Sequence, residues 1–392
     1  MIPYSRQEIL KKDIDAVVKV MKSNWLTQGP TVEKFENTVK HYTKAKYATA
    51  VNSATSALHL ACLALKVGPG DLVWTSSNSF VASANCALYC GAEVDFVDID
   101  PNTLNISIEL LIRKLEKAKK KKKLPKVLIP VHFAGQPCDM ERIFILSKKY
   151  KFKIIEDASH AIGAYYKLEN SKKKNNIKIG SCRHSDITVF SFHPVKIITT
   201  AEGGMALTNN RKLDESIKLL RTHGITKSRK FMKKKTKDPW YFEQIELGLN
   251  YRMNDIQSAI GIEQCKRIDN FVKSRNEKAK LYDKYLNFRK LNKQIQPKNV
   301  YSSYHLYVIR LNLNLLKNTK KTIFNYLRKK GIVVNVHYIP IHTHPFFSTL
   351  GFKKGDYPNT ESYYESAISL PIYPSLKKKD QYRVIKLINK LV

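Results

Sequence analysis

The sequence is poor in acidic residues and lacks a long apolar run, a paired-cysteine motif, a secretory leader pattern and an internal repeat. Its 33 Asp and Glu face 69 Lys and Arg, for a net charge of +36. With no stretch of about 18 apolar residues, nothing is expected to span a bilayer. The opening "MIPYSRQEIL" has no basic-then-apolar layout of a signal peptide. Six cysteines, at 62, 86, 90, 138, 182 and 265, form no CxxC pair and no disulfide framework. They read as reduced, mostly buried thiols of a cytoplasmic protein. Cys86 and Cys90, four apart, read as one helix face rather than a metal pair.

The excess of lysine invites a nucleic-acid reading. Its distribution argues against one. The lysines fall in short runs, Lys119–Lys123, Lys172–Lys174, Lys233–Lys235 and Lys377–Lys379, at expected helix ends or loops. None is interleaved with aromatics as a base-stacking groove would be. They are read as solvated surface charge.

What the chain does have is 43% hydrophobic residues over 392 positions, enough for more than one core. From about residue 45 to 210, short apolar runs alternate with helical stretches: "KYATAVN" then "SATSALHLACLAL", "DLVWTSS" then "SFVASANCALYCG". "AEVDFVDID" precedes "SIELLIRKLEKAKK", "KVLIPVHF" precedes "MERIFILSKKY", and "KIIEDAS" comes after. This is the βαβα pattern of an open, mainly parallel sheet covered on both faces by helices. "DITVFSF" and "GMALTNN" add two strands. Beyond about 270, shorter strands ("YHLYVIRL", "GIVVNVHY") and helices ("KKTIFNYLRKK", "QYRVIKLINKLV") predict a smaller α+β domain. The expected division is a large α/β domain over 1–265 and a small one over 266–392, with a loop at 171–178.

Ligands of open parallel sheets bind beyond the carboxyl ends of the strands, and three stretches should meet there. "NSATSAL" (52–58) joins a strand to a helix and carries hydroxyls on Ser53, Thr55 and Ser56, the composition of an anion cradle. Those same residues are also ordinary helix caps. "IIEDASHA" (154–161) ends a buried strand in two carboxylates, one of which should reach the crevice; Asp157 could equally cap the next helix. In "SFHPVKIITTAEGG" (191–204), Lys196 follows a β-branched, aromatic strand instead of sitting on a solvated face. An anion cradle, an acid at a strand end and a later buried lysine are together what pyridoxal 5′-phosphate needs. The amine condenses with its aldehyde, and the carboxylate keeps its ring nitrogen protonated. Burial would lower the lysine pKa, as a nucleophilic amine requires.

The order "NSATSAL … EDASHA … SFHPVK … EGG … NYRMNDIQSAIG" resembles the DegT/DnrJ/EryC1/StrS sugar aminotransferases, on the fold-type I scaffold of pyridoxal phosphate enzymes, over essentially the whole chain. "SFHPVK", with "WLTQGP" and "HYIPI", is most similar to members acting on UDP-linked 4-keto sugars in the pseudaminic-acid pathway. The resemblance implies a transaminase moving an amino group from L-glutamate to C4 of such a sugar. The product implied is UDP-4-amino-4,6-dideoxy-N-acetyl-β-L-altrosamine. A related enzyme acting on a different 4-keto or 3-keto sugar is the alternative.

Carried over by motif, Lys196 matches the lysine that binds the cofactor covalently and Asp157 the partner of the ring nitrogen. His160 stands where many relatives have Gln, beside the ring's phenolic oxygen. Ala54, Thr55 and Ser191 match the phosphate shell, and Phe80 the aromatic stacked on the ring. Asn250 matches a residue reaching the phosphate from a neighbouring subunit, which implies a homodimer with shared active sites. Tyr4, Trp25, Leu26, Thr27, Gln28, His193, His337 and Tyr338 fall where the family binds the nucleotide sugar. Ile197 and Ala201 depart from a common Pro and Gly in the turn after the lysine. The dehydratase branch carries His in place of the lysine; this chain keeps Lys196. No metal is expected: His337, His342 and His344 fit no familiar ligand spacing, and the tyrosines of "ESYYESAISLPIYP" are read as packing. A cofactor-binding regulator without activity and a basic nucleic-acid binder are the readings from other classes.

Overall fold

The structure, a computed structural model, describes residues 1–168, 176–234, 236 and 238–392. Its centre is a seven-stranded sheet. In spatial order the strands are Tyr47–Val51, Gly204–Thr208, Ile187–Ser191, Lys153–Asp157, Val127–Ile129, Leu72–Ser76 and Glu93–Val97. Gly204–Thr208 pairs antiparallel with both neighbours; every other pairing is parallel. Six strands therefore share one direction and bring their carboxyl ends to one edge, the mainly parallel fold that the βαβα pattern predicts.

The strands are buried at nearly every position because both faces are covered. Alternate residues feed two separate cores. Trp74, Leu128, Ile154 and Phe190 pack with the helices Pro30–Thr43, Ile108–Lys120, Met140–Tyr150 and Ile268–Tyr285. Val73, Val127, Ile155 and Val189 pack with Ala54–Ala64, Ala82–Leu88 and Arg211–Arg221. Helix starts carry the caps their residues predict: Ser53, Ser107, Asp139, Asn210 and Asn254 each accept a first-turn backbone N–H.

A three-stranded antiparallel sheet of Leu291–Lys293, Tyr307–Leu311 and Ala367–Leu370 forms a further centre. Its core adds Ile323 and Leu327, and Val384 and Ile388, from the helices Lys320–Lys329 and Lys378–Leu391. Ile2, from the opposite end of the chain, is buried in this core and bridges to Ile332. "GIVVNVHY", expected as a strand, makes only isolated bridges, at Ile332 and Asn335. It passes between partners at each end without a continuous ladder, and it buries Ile332 and Val334 as an irregular segment. Of the loop expected over 171–178, residues 171–175 lie outside the described residues, as do Lys172–Lys174 and Lys235. Ile177–Lys178 instead pairs with Tyr165–Tyr166. Among the described residues no helix is long and apolar enough to cross a membrane, and all six cysteines are free thiols.

Candidate active site

At the carboxyl edge of the large sheet lies a cavity of about 300 Å³. Eleven residues singled out from sequence line it: Tyr4, Ala54, Thr55, Phe80, Asp157, His160, Ser191, His193, Lys196, His337 and Tyr338. They come from five strand ends or loops and from the amino terminus.

The wall beside Ala54 and Thr55 is the first turn of the Ala54–Ala64 helix. Ser53 is its N-cap, accepting from Ser56 N at 3.1 Å, and Ser56 donates to Asn52 Oδ1 at 2.6 Å. The capping reading of this stretch therefore holds. Ser53 and Ser56 spend their hydroxyls on the cap, Ser56 stays out of the cavity, and the helix amino terminus opens onto it. The antiparallel strand is pressed against this turn. A Cβ on Gly204 would meet Ser53 C and O at 2.4 Å, so only glycine fits there.

Strand alternation separates the two acids. Glu156 follows Ile154 onto one face, and Asp157 follows Ile155 onto the face that carries the cavity. Asp157 caps no helix. Its Oδ1 accepts from Ser159 N at 3.1 Å and its Oδ2 from Ser83 Oγ at 2.6 Å. Ser83, not foreseen from sequence, is in turn bonded to Ser79 at 2.7 Å. A small serine in an alanine-rich helix gives no signal of its own.

Lys196 sits in a turn closed by its own N–H to His193 O at 2.9 Å. Burial pushes its amine down to about 8, with Asp157 pulling the other way. Thr199 and Thr200 knit the turn through Phe192 O and Glu202 O at 3.0 and 2.7 Å, and Ser5 Oγ holds Val195 O at 3.0 Å. Ala201 adopts φ 66°, left-handed backbone. This explains the preference for glycine there among the resembling sequences, and it strains alanine.

Opposite the lysine, His160 Nε2 lies 3.0 Å from Tyr338 OH while its buried Nδ1 has no partner. His305, unremarked in "YHLYVIRL", lines the cavity with its ring 4.3 Å from that of His160 and its Nδ1 likewise unpartnered. Burial, with the nearby Lys196 charge, holds both imidazoles well below their ordinary pKa, and His337 goes down to about 3 for the same reasons. Phe80 is 57% exposed at the mouth, an open aromatic face 6.1 Å from the Tyr338 ring.

Five expected residues lie elsewhere. Trp25 and Leu26 are exposed, Thr27 bridges to Asn254, and Gln28 lines a shallow depression with Arg221 and Arg252. That segment is tied to the Asp255–Cys265 helix through Gly29 N and Thr31 N, which donate to Asp255 at 2.8 and 2.9 Å. Asn250 is exposed and bridges to Thr222. The histidine cluster disperses. His337 faces the cavity, His342 bonds Glu361 at 2.8 Å, and His344 heads a short helix.

The cavity thus joins a helix amino terminus with a hydroxyl-bearing wall, a carboxylate, a low-pKa amine, neutral imidazoles and an open aromatic face. That donor set fits pyridoxal phosphate at each of its polar ends. The family model of the DegT/DnrJ/EryC1/StrS aminotransferases matches residues 7–389. The UDP-4-amino-4,6-dideoxy-N-acetyl-beta-L-altrosamine transaminase of Campylobacter jejuni is 39% identical, covering 97% of this chain and 94% of that protein. The structure of Helicobacter pylori PseC, an aminotransferase of pseudaminic acid biosynthesis, superposes with a TM-score of 0.87 at 32% identity, covering 100% of this chain and 98% of that one. The PLP form of the putative sugar aminotransferase Spr1654 of Streptococcus pneumoniae gives 0.85 at 28% identity, covering 100% and 98%. This chain belongs to the DegT/DnrJ/EryC1/StrS aminotransferase family and is a pyridoxal-phosphate-dependent transaminase on the fold-type I scaffold.

Proposed function

We propose that this family member transfers the amino group of L-glutamate to C4 of a UDP-linked 4-keto-6-deoxy sugar, yielding UDP-4-amino-4,6-dideoxy-N-acetyl-β-L-altrosamine. The observation that carries the reading is one cavity holding both the Lys196 amine and the Asp157 carboxylate at the edge of the sheet. The choice of sugar is supported by the C. jejuni and H. pylori relatives, and the donor by the family resemblance.

Lys196, Asp157, Phe80, and Ala54, Thr55 and Ser191 would hold the cofactor at its aldehyde, ring nitrogen, ring face and phosphate; His160 would stand beside the phenolic oxygen. Bound there, pyridoxal phosphate supplies a carbonyl for amines and a ring that accepts the electron pair left by a departing proton. Lys196 carries that proton on Nζ. It removes it from the α-carbon of glutamate in the first half-reaction and delivers one to C4 of the sugar in the second. An amine near 8 can do both near neutral pH. Asp157, held in place by the hydrogen bonds it accepts from Ser83 Oγ and Ser159 N, would face the positive charge on the ring nitrogen. Tyr4, His193, His337 and Tyr338 bound the side where the sugar enters.

In this reading two copies share their sites. Asn250 and Trp25–Gln28 of one protomer complete the cavity of its partner, which accounts for their distance from the cavity of their own chain. The chain divides into a large domain, 1–265, and a small one, 266–392.

The test is incubation with candidate UDP-4-keto sugars and glutamate, reading the mass and configuration of the product. A 4-amino sugar of the β-L-altro configuration is expected. An amine at C3, or turnover only with another nucleotide, overturns the assignment while leaving the transaminase intact.

A further inference from the structure

His305 lies just ahead of the Tyr307–Leu311 strand, and its segment is fastened to the rim of the large sheet. Ser303 Oγ donates to His160 O at 2.8 Å, and Leu306 N donates to Ala134 O at 3.3 Å. A Cβ on Gly135 would come within 3.0 Å of His305 N. The fastening brings the His305 ring, 2% exposed, into the cavity wall 4.3 Å from that of His160. Its Nδ1 is buried and makes no hydrogen bond. A phenylalanine would fill the same space with no unpaired nitrogen to desolvate, so ring packing alone does not account for a histidine.

Other donors of the cavity that could meet an anion are mostly engaged. His337 Nδ1 lies 2.9 Å from Ser369 Oγ, and His160 Nε2 and Tyr338 OH meet at 3.0 Å. His193 stands near the mouth, 3.9 Å from Glu202. Among the described residues no arginine lines the cavity. One lies behind His305: Arg275, on the Ile268–Tyr285 helix, is 1% exposed. Its Nη1 donates to Tyr304 O and His305 O, each at 3.2 Å, and to Ile372 O at 2.9 Å, while its Nε has no partner. All three acceptors are neutral carbonyls. Burial pushes the guanidinium down to about 9, with no carboxylate offsetting that among the described residues. The charges of Arg275 and Lys196 both reach the His305 ring. The wall at His305 therefore combines a positive field with an unspent imidazole nitrogen, surroundings that a bound carboxylate completes.

We propose that His305 receives a carboxylate of the amino donor, donating an imidazole N–H to it while the buried Arg275 charge attracts it from behind. This assignment depends on L-glutamate being the donor. His305 touches the donor. Arg275 does not; it holds the His305 backbone and supplies charge. The keto sugar of the second half-reaction carries no carboxylate, so loss of His305 should burden one half-reaction and spare the other.

The test titrates glutarate, which has both carboxylates of glutamate and no amine, into the holoenzyme by calorimetry, and measures the two half-reactions separately. His305→Phe should weaken glutarate binding by at least about 10-fold and raise KM for glutamate by a similar factor, with KM for the UDP-4-keto sugar changed by less than about threefold. His305→Gln, which keeps an N–H donor, should recover most of the loss. His305→Leu supplies the same comparison if His305→Phe does not fold. Equal glutarate affinity in the unaltered and His305→Phe proteins overturns the role of His305 and leaves the donor assignment standing. So does a parallel rise in KM for glutamate and for the sugar. An unaltered enzyme that neither binds glutarate nor turns over glutamate overturns both.

Discussion

The two faces of the Lys153–Asp157 strand carry polar assemblies that differ in how fully their hydrogen bonds are used. Behind the sheet, Glu156 Oε2 takes His132 Nε2 at 2.8 Å, while its Oε1 takes Thr188 Oγ1 at 3.0 Å and the Ser185 hydroxyl. His132 Nδ1 accepts from Cys138 N at 3.0 Å. Nothing in that set is spare. In front, Lys196 has Asp157 as a charged neighbour but no side-chain hydrogen bond among the described residues, and the Nδ1 atoms of His160 and His305 are unpartnered. Buried polar groups are ordinarily satisfied. A saturated network specifies structure, and an unsaturated one a single residue away marks where a ligand completes the bonds.

The sharpest way to break this contrast is Lys196→Ala. Turnover should fall by at least ~10³-fold and the borohydride-reducible attachment of the cofactor should vanish. Retention of that attachment in the variant would remove Lys196 from its role. A second probe uses pH. An amine near 8 is neutral in roughly a tenth of molecules at pH 7, several hundred times the share of an ordinary lysine at 10.5. Because the neutral amine is the nucleophile, covalent loading of the apoprotein should accelerate as pH rises and level off above about 8. A rate still climbing past pH 10 contradicts the burial argument.

Asp157→Asn should keep the cofactor bound yet slow each half-reaction by about 10²-fold, seen in single-turnover spectra. Its neighbour should answer differently. Glu156→Gln is expected to cost about 2 kcal/mol of stability in urea titration, with a far smaller change in the glutamate half-reaction. If Glu156→Gln slowed chemistry as much as Asp157→Asn, the division between the faces would fail. The smallest effect concerns the turn that carries the lysine. Ala201→Gly should stabilise the fold by about 0.5–1 kcal/mol by relieving left-handed strain, read as a higher urea midpoint.

The long motifs were legible because each chemical group comes directly after a strand whose composition announces it. "NSATSAL", "EDASHA" and "SFHPVK" all end at the cavity, and Lys196 and Asp157 line it as their positions imply. Local pattern had no means of revealing His305, which sits inside a stretch that reads only as strand and becomes significant when it meets His160, far away in sequence. Ser83 looked like one more small residue of a buried helix. Ile2 gave no hint that it would be sealed against Ile332, and "GIVVNVHY" had strand composition without a continuous partner.

Periodicity and strand-end chemistry, both local properties of the chain, determined the parallel sheet, the edge at which the cavity lies and the amine and acid that line it. Only the tertiary structure decided which carboxylate faces the cavity and which histidines stay neutral beside the lysine. Those outcomes depend on burial and on the distance between segments remote in sequence, and both come into being when the faces of the sheet are covered.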